Sequence, residues 1–197
     1  MYFQVHRGWS DNGASGVNAK KTGDLPYSSS KDVRNLLAEE QELVKHVGVI
    51  LNQASRDVMA GLHEEAAATL VFLVRREQRL IQTTSMGQER QGPSGPEFSG
   101  LQSFYMLARR DLVQAITGEI RNILLKELYS TWPKDESTLP KGVQVANIYL
   151  EKLRRLSRHS NALDQSIYRD CVDEIRLVVE LNAPSFVDSL LESSVEN

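Results

Sequence analysis

The stretch "LQSFYMLARRDLVQAITGEIRNILLKELY", residues 101–129, decides the fold, because apolar side chains recur in it every three or four positions. A period near 3.6 residues predicts an amphipathic helix, whereas a strand alternates with a period of two. No segment of the chain alternates with period two for long enough to predict a strand. The apolar positions of the stretch are Leu101, Phe104, Tyr105, Ala108, Leu112, Ala115, Ile116, Ile120, Ile123, Leu124 and Leu128.

A second long helix is predicted upstream, from Lys31 to about Ala60, where no proline occurs. Its apolar positions recur every seven residues, which is typical of helices that pack in coiled coils. We predict that part of this stripe binds helices of other protein subunits, or of a second copy of the chain, because the stripe is longer than a small bundle needs. Glu40 interrupts the stripe, whose main row is Leu37, Val44, Leu51 and Val58, with Val33, Val47 and Ala54 beside it.

Two paths of the chain are compatible with the sequence at Gly61. The chain either turns there into an antiparallel second helix that reaches about Thr83, or continues as one helix of roughly fifty residues. The turn is predicted, because glycine inside a helix costs about 1 kcal/mol relative to alanine.

The rest of the chain predicts shorter elements. Residues 85–100 are rich in glycine and proline and predict a flexible loop. Ser99 and Gln102 then match an S-x-x-Q capping box at the start of the 101–129 helix. Further helices are expected over 143–157, over 161–181 with Asn161 as cap, and after Pro184 with Ser185 as cap.

These elements predict an all-α bundle of five to six helices, two of them long, in a single domain over residues 31–194. Residues 1–30 are dominated by Gly, Ser, Asn and Asp and predict a flexible arm. The opening "MYFQ", residues 1–4, has the pattern of a vector-derived protease-tag remnant and is left out of the prediction.

Composition narrows the classes of function. The net charge of −3 and the pI of about 5.9 indicate neither nucleic acid nor an acidic membrane surface as an overall partner. The single cysteine, Cys171, excludes an intrachain disulfide and a Cys-x-x-Cys site, and its apolar surroundings predict a core position. No apolar run is long enough for a membrane span, and no signal pattern opens the chain, so we expect an intracellular protein, cytoplasmic or nuclear.

The segment "KLRRLSRHS", residues 152–160, allows four interpretations. Arg154 and His159 have the R-x-x-x-x-H spacing of some helical RNases, and R-R-x-S makes Ser157 a candidate phosphorylation site. Cations also stabilise the last turn of a helix through its dipole. The fourth interpretation is a nucleic-acid contact formed by several arginine clusters, namely Arg75, Arg76, Arg79, Arg154, Arg155 and Arg158.

Signals for catalysis are weak. Glu42 and His46 share a helix face, but a metal site needs at least three converging ligands, so no metal or other cofactor is predicted. No G-x-S-x-G, phosphate-binding loop or H-E-x-x-H motif occurs. The function predicted from the sequence is therefore a non-enzymatic helical interaction domain, a scaffold, adaptor or subunit of a larger complex. The alternative is a nucleic-acid-binding helical protein, with an RNase less favoured.

Overall fold

The structure, a computed structural model, describes residues 30–88, 96–129, 139–157 and 165–190. No strand occurs in these ranges, which confirms the predicted all-α bundle. None of the helices described combines the length and apolar character of a membrane span. The elements are α1 (Ser30–Met59), α2 (His63–Gln88), α3 (Pro96–Tyr129), α4 (Lys141–Ser157), α5 (Gln165–Asn182) and a 3₁₀ helix (Pro184–Ser189).

Helix α3 is the centre of the bundle, since it packs against α1, α2, α4 and α5. Helix α1 covers α2 and α3, α4 also packs on α2 and α3, and α5 lies against α3 and α4. The central position explains why α3 carries the clearest apolar stripe in the sequence. Leu128, at its end, is the exception and is exposed. The fully buried side chains of α3 include Tyr105, Leu112, Ile116, Ile120 and Leu124.

The predicted turn at Gly61 is confirmed. Gly61 has φ of 78°, a left-handed conformation that a side chain would strain. The Leu62 amide donates to the Asp57 carbonyl at 2.8 Å and the Gly61 amide to Val58 at 3.2 Å. This pair of bonds is the Schellman motif, which satisfies carbonyl groups left without partners at the end of α1.

The predicted loop over 85–100 is helical at both of its ends. Helix α2 continues to Gln88, and α3 begins at Pro96 rather than Leu101. Proline is favoured in the first helical position, where its missing N–H would have had no partner. The capping box predicted at Ser99 is therefore wrong, because Ser99 lies inside α3.

The start of α4 is held by the end of α3. The Glu127 carboxylate accepts hydrogen bonds from the Lys141 amide at 2.7 Å and the Gly142 amide at 3.2 Å. A carboxylate at this position satisfies amides that have no partner within the helix and complements the helix dipole. Gly142 also allows a close approach, because a Cβ atom there would meet Leu124 Cγ at 2.5 Å.

The predicted cap of the last helix is wrong. The 3₁₀ helix begins at Pro184, and Ala183 precedes it without any side-chain capping bond, so Ser185 is not its cap. Proline again occupies the first turn. Asn161, the predicted cap of α5, lies outside the described residues, as do residues 1–29.

Candidate functional site

The predicted interaction stripe of α1 faces the bundle itself. Val58 is fully buried, and Leu37, Val44 and Leu51 pack half-buried against the core. The most buried line of α1 is rotated from the predicted row and includes Glu40, the residue that interrupts the stripe. Packing on α2 and α3 therefore already uses this stripe. The buried line of α1 consists of Leu36, Glu40, Val47, Ala54 and Val58.

Glu40 lies fully buried and forms a buried ion pair with α2. One carboxylate oxygen accepts a bond from Arg76 Nη1 of α2 at 2.7 Å, and the other accepts one from the Tyr105 hydroxyl of α3 at 2.8 Å. The Arg76 guanidinium also lies 5.5 Å from the centre of the Phe72 ring, within cation–π range. Burial, followed by the bond to Glu40, raises the pKa of Tyr105, so the phenol stays a donor.

Another buried ion pair joins α2 to α3. Its α2 residue, Glu77, directly follows Arg76. Arg109 Nε donates to Glu77 Oε2 at 2.7 Å, and Nη1 lies 3.6 Å from the thiol of Cys171 on α5. Burial raises the pKa of Cys171 to about 11, with Arg109 opposing the shift, so the thiol is protonated near neutral pH. These residues form a layer that crosses α1, α2, α3 and α5. We call it the polar layer, and it consists of Glu40, Arg76, Glu77, Tyr105, Arg109 and Cys171.

Such a layer restricts how the helices can pack. A buried charge is tolerated only where its partner is in place, so sliding one helix by a turn would leave carboxylates and guanidinium groups unpaired. The polar layer therefore disfavours packing of these helices in a shifted register.

The three arginines of the first cluster, on α2, differ in exposure. Arg76 is buried on Glu40, which argues against its predicted phosphate contact. Arg79 approaches Glu39 at 3.8 Å and Glu40 at 3.9 Å, and only Arg75 of this cluster is exposed.

The second cluster is only partly described. Arg155 donates to Glu151 at 2.9 Å on the surface of α4, and Arg154 is half-buried. Arg158 and His159 lie outside the described residues, as does the side chain of Ser157, so the RNase and phosphorylation hypotheses stay predictions. Neither Glu42 with His46 nor any larger group of possible ligands forms a metal site among the residues described.

A buried histidine links α2 to α4. His63 Nδ1 is hydrogen-bonded to the Tyr149 hydroxyl at 3.1 Å, and the two rings meet edge to face at 5.8 Å. Burial, partly opposed by Glu119, lowers the pKa of His63. The bundle therefore holds the imidazole neutral.

This histidine makes the stability of the protein sensitive to acid. Below the ordinary histidine pKa of 6.5, the unfolded chain binds a proton at His63 that the folded protein resists. The unfolding free energy therefore decreases as the pH is lowered. We expect His63→Gln to reduce that fall between pH 7.5 and pH 5.5, measured by urea unfolding at each pH. His46→Gln, on the exposed face of α1, is the matched control. Equal pH dependence in wild type and His63→Gln would contradict the prediction.

The outer face of α5 carries two exposed leucines one turn apart. Leu177 is 51% exposed and Leu181 is 73% exposed. Four exposed carboxylates share this face, since at 100° per residue all six positions fall within about 120° around the helix. We call this face the α5 strip, which consists of Asp170, Asp173, Glu174, Leu177, Glu180 and Leu181.

An open cleft of about 350 Å³ lies at the acidic end of the α5 strip, between α3 and α5. Its floor includes Arg109, whose guanidinium is already bound to Glu77, and the exposed Arg110 lies beside it. The remaining lining residues are Met106 from α3 and Asp170, Asp173 and Glu174 from α5.

Sequence reasoning missed the α5 strip, although a signal was present. The acidic residues of α5 do not by themselves indicate a contact, because charged residues on a helix usually form a solvated face. The apolar stripe that α5 turns towards the core includes Ile167, Cys171 and Ile175, and all three are buried. Leu177 and Leu181 fall off that stripe, and leucines outside the core face of a helix are the feature that could have indicated a surface contact.

The chain was compared with protein-family models, curated proteins and solved structures, and none of them matches it.

Proposed function

We propose that this protein is a non-enzymatic helical interaction module that binds a partner helix along the α5 strip. The observation that carries the proposal is the pair Leu177 and Leu181, both exposed and one turn apart on a regular helix. A partner helix recognises such a pair through apolar residues at the same spacing.

The energetics favour a partner for this face. Fully burying a leucine side chain contributes about 1.5–3 kcal/mol, so covering two exposed leucines is enough to matter for affinity. Met59 and Leu62 are also exposed, but they flank the Gly61 turn and do not share a regular helix face. That pair therefore lacks the register that helix-to-helix packing uses.

The polar layer supports the proposed function because it fastens α5, which carries the binding face, to the rest of the bundle. It joins α5 to α3 through Cys171 and Arg109, and it joins α3 to α1 and α2. A binding face on a rigid element loses little conformational entropy when the partner docks. The nucleic-acid alternative has less support, because Arg76 and Arg79 are turned towards acidic residues of α1.

The test is a display selection of helical peptides against the purified wild-type protein. Peptides that bind should lose at least tenfold in affinity to Leu177→Glu/Leu181→Glu, since each lost leucine contact removes more than about 1.4 kcal/mol. Isothermal titration calorimetry measures the affinities. Circular dichroism checks that the variant keeps its helices.

Met59→Glu/Leu62→Glu is the matched control, because it places the same charges on another exposed apolar pair. Peptides should bind this control as they bind wild type. Selected peptides that bind equally well after the α5 substitutions, or a selection that yields no helical peptide, would contradict the proposal.

A further inference from the structure

The charge of the α5 strip selects the chemistry of its partner. Four carboxylates share the strip with the two leucines, and the arginines of α5, Arg169 and Arg176, both lie beyond one edge of the strip, by about 20° and 40° around the helix. A polar rim of one sign favours a partner of the opposite sign and rejects one of the same sign.

The same charge argues against a second copy of this chain as the occupant. A two-fold symmetric dimer through this face would place the α5 strip against itself. The eight carboxylates of the two copies, from Asp170, Asp173, Glu174 and Glu180, would then share one interface, and like charges in an interface repel one another. Nucleic acid and acidic lipid are disfavoured for the same reason.

The cleft gives the partner's positive charge a defined place. The carboxylates of Asp170, Asp173 and Glu174 line it, and Met106 offers an apolar wall. A lysine or arginine side chain fits such a site, because its methylene stem packs on apolar surface while its charged end stays near carboxylates and water. Arg109 is already paired with Glu77, so of the two arginines that line the cleft only the exposed Arg110 sets a positive charge against the three carboxylates.

Resting on the function proposed above, we infer that the partner segment is a cationic amphipathic helix that places leucine-type side chains on Leu177 and Leu181 and a lysine or arginine in the α3–α5 cleft. The strip from Asp170 to Leu181 covers eleven residue-to-residue steps of about 1.5 Å, or roughly 16 Å along the helix axis. About three helical turns of the partner therefore cover it. The cleft and the leucine pair are about two turns apart, and the partner's cation and its leucines need the same separation.

The experiment compares synthetic helical peptides against the wild-type protein by isothermal titration calorimetry at low and high salt. All peptides carry the same leucine pair. One has lysines two turns away on the leucine face, one has glutamines there, and one has glutamates. A fourth has the lysines moved to the opposite face, so that its composition matches the first.

We expect the first peptide to bind at least tenfold more tightly than the other three at low salt, with the advantage shrinking at high salt as the charges are screened. Asp173→Asn/Glu174→Gln should remove most of this advantage. Glu42→Gln/Glu65→Gln is the matched control, because it neutralises exposed carboxylates on α1 and α2 and should leave the preference unchanged.

The outcomes separate this inference from the proposed function. Similar affinity for all four peptides, lost on Leu177→Glu/Leu181→Glu, overturns the cationic partner and leaves the interaction module standing. Binding that ignores the leucine substitutions overturns both. A preference for the glutamate peptide overturns the inference directly.

Discussion

Arg76→Ala should lower the unfolding free energy by about 3–5 kcal/mol, because it leaves the carboxylate of Glu40 buried without its counter-charge. Glu40 is fully enclosed, and the Tyr105 hydroxyl would remain its main donor. The substitution also removes the cation over the Phe72 ring. Urea unfolding followed by circular dichroism measures the change.

Two further variants serve as controls for Arg76→Ala. Arg155→Ala breaks an exposed pair with Glu151 and should cost no more than about 0.5 kcal/mol. The triple variant Glu40→Leu/Arg76→Met/Tyr105→Phe replaces the buried charges with apolar groups and should regain most of the lost stability, since apolar replacement of a buried pair is often close to neutral. Equal costs for Arg76→Ala and Arg155→Ala would show that the buried pair is not a major stabilising contact.

Arg109→Ala should have an effect of similar size, about 3–5 kcal/mol, because Glu77 would be left buried and unpaired. Arg109 holds Glu77 through two nitrogens, at 2.7 and 3.4 Å, and its third nitrogen lies on the Cys171 thiol. The loss therefore weakens the contacts of α3 with both α2 and α5. Arg110→Ala, at the exposed neighbour, is the control and should change stability little.

Cys171 reports on this change directly, because it is the single cysteine and is fully buried. A thiol-specific reagent reaches it only when the structure opens. Its labelling rate should rise by roughly two to three orders of magnitude in Arg109→Ala, since every 1.4 kcal/mol is a factor of ten in the open population. A labelling rate unchanged from wild type would show that Arg109 does not hold α5 in place.

The sequence alone determined the fold class and most helix positions. The helical period is a local property, since side chains three and four residues apart share a face whatever the helix packs against. The stripe of α3 from Leu101 to Leu124 therefore predicted both a helix and its buried side. The turn at Gly61 was also predictable, because only glycine adopts its left-handed conformation without strain.

Helix starts were less predictable. Pro96 and Pro184 both begin helices that the sequence placed later or gave a different cap. Proline ends many helices and also begins many, and its local sequence does not decide between the two. The Glu127 bonds to the start of α4 come from a residue fourteen positions earlier, which no local capping pattern indicates.

Only the tertiary structure decided the partners of the charged residues. Glu40 looked like an interruption of an apolar stripe, and Arg76 looked like a phosphate contact, yet the two form one buried pair across 36 positions of sequence. A charge pattern along the chain does not show which charges meet, because that depends on how distant helices pack. The same holds for Leu177 and Leu181. Their helix was predictable from its period, but their exposure follows from the side of α5 that α3 and α4 leave open.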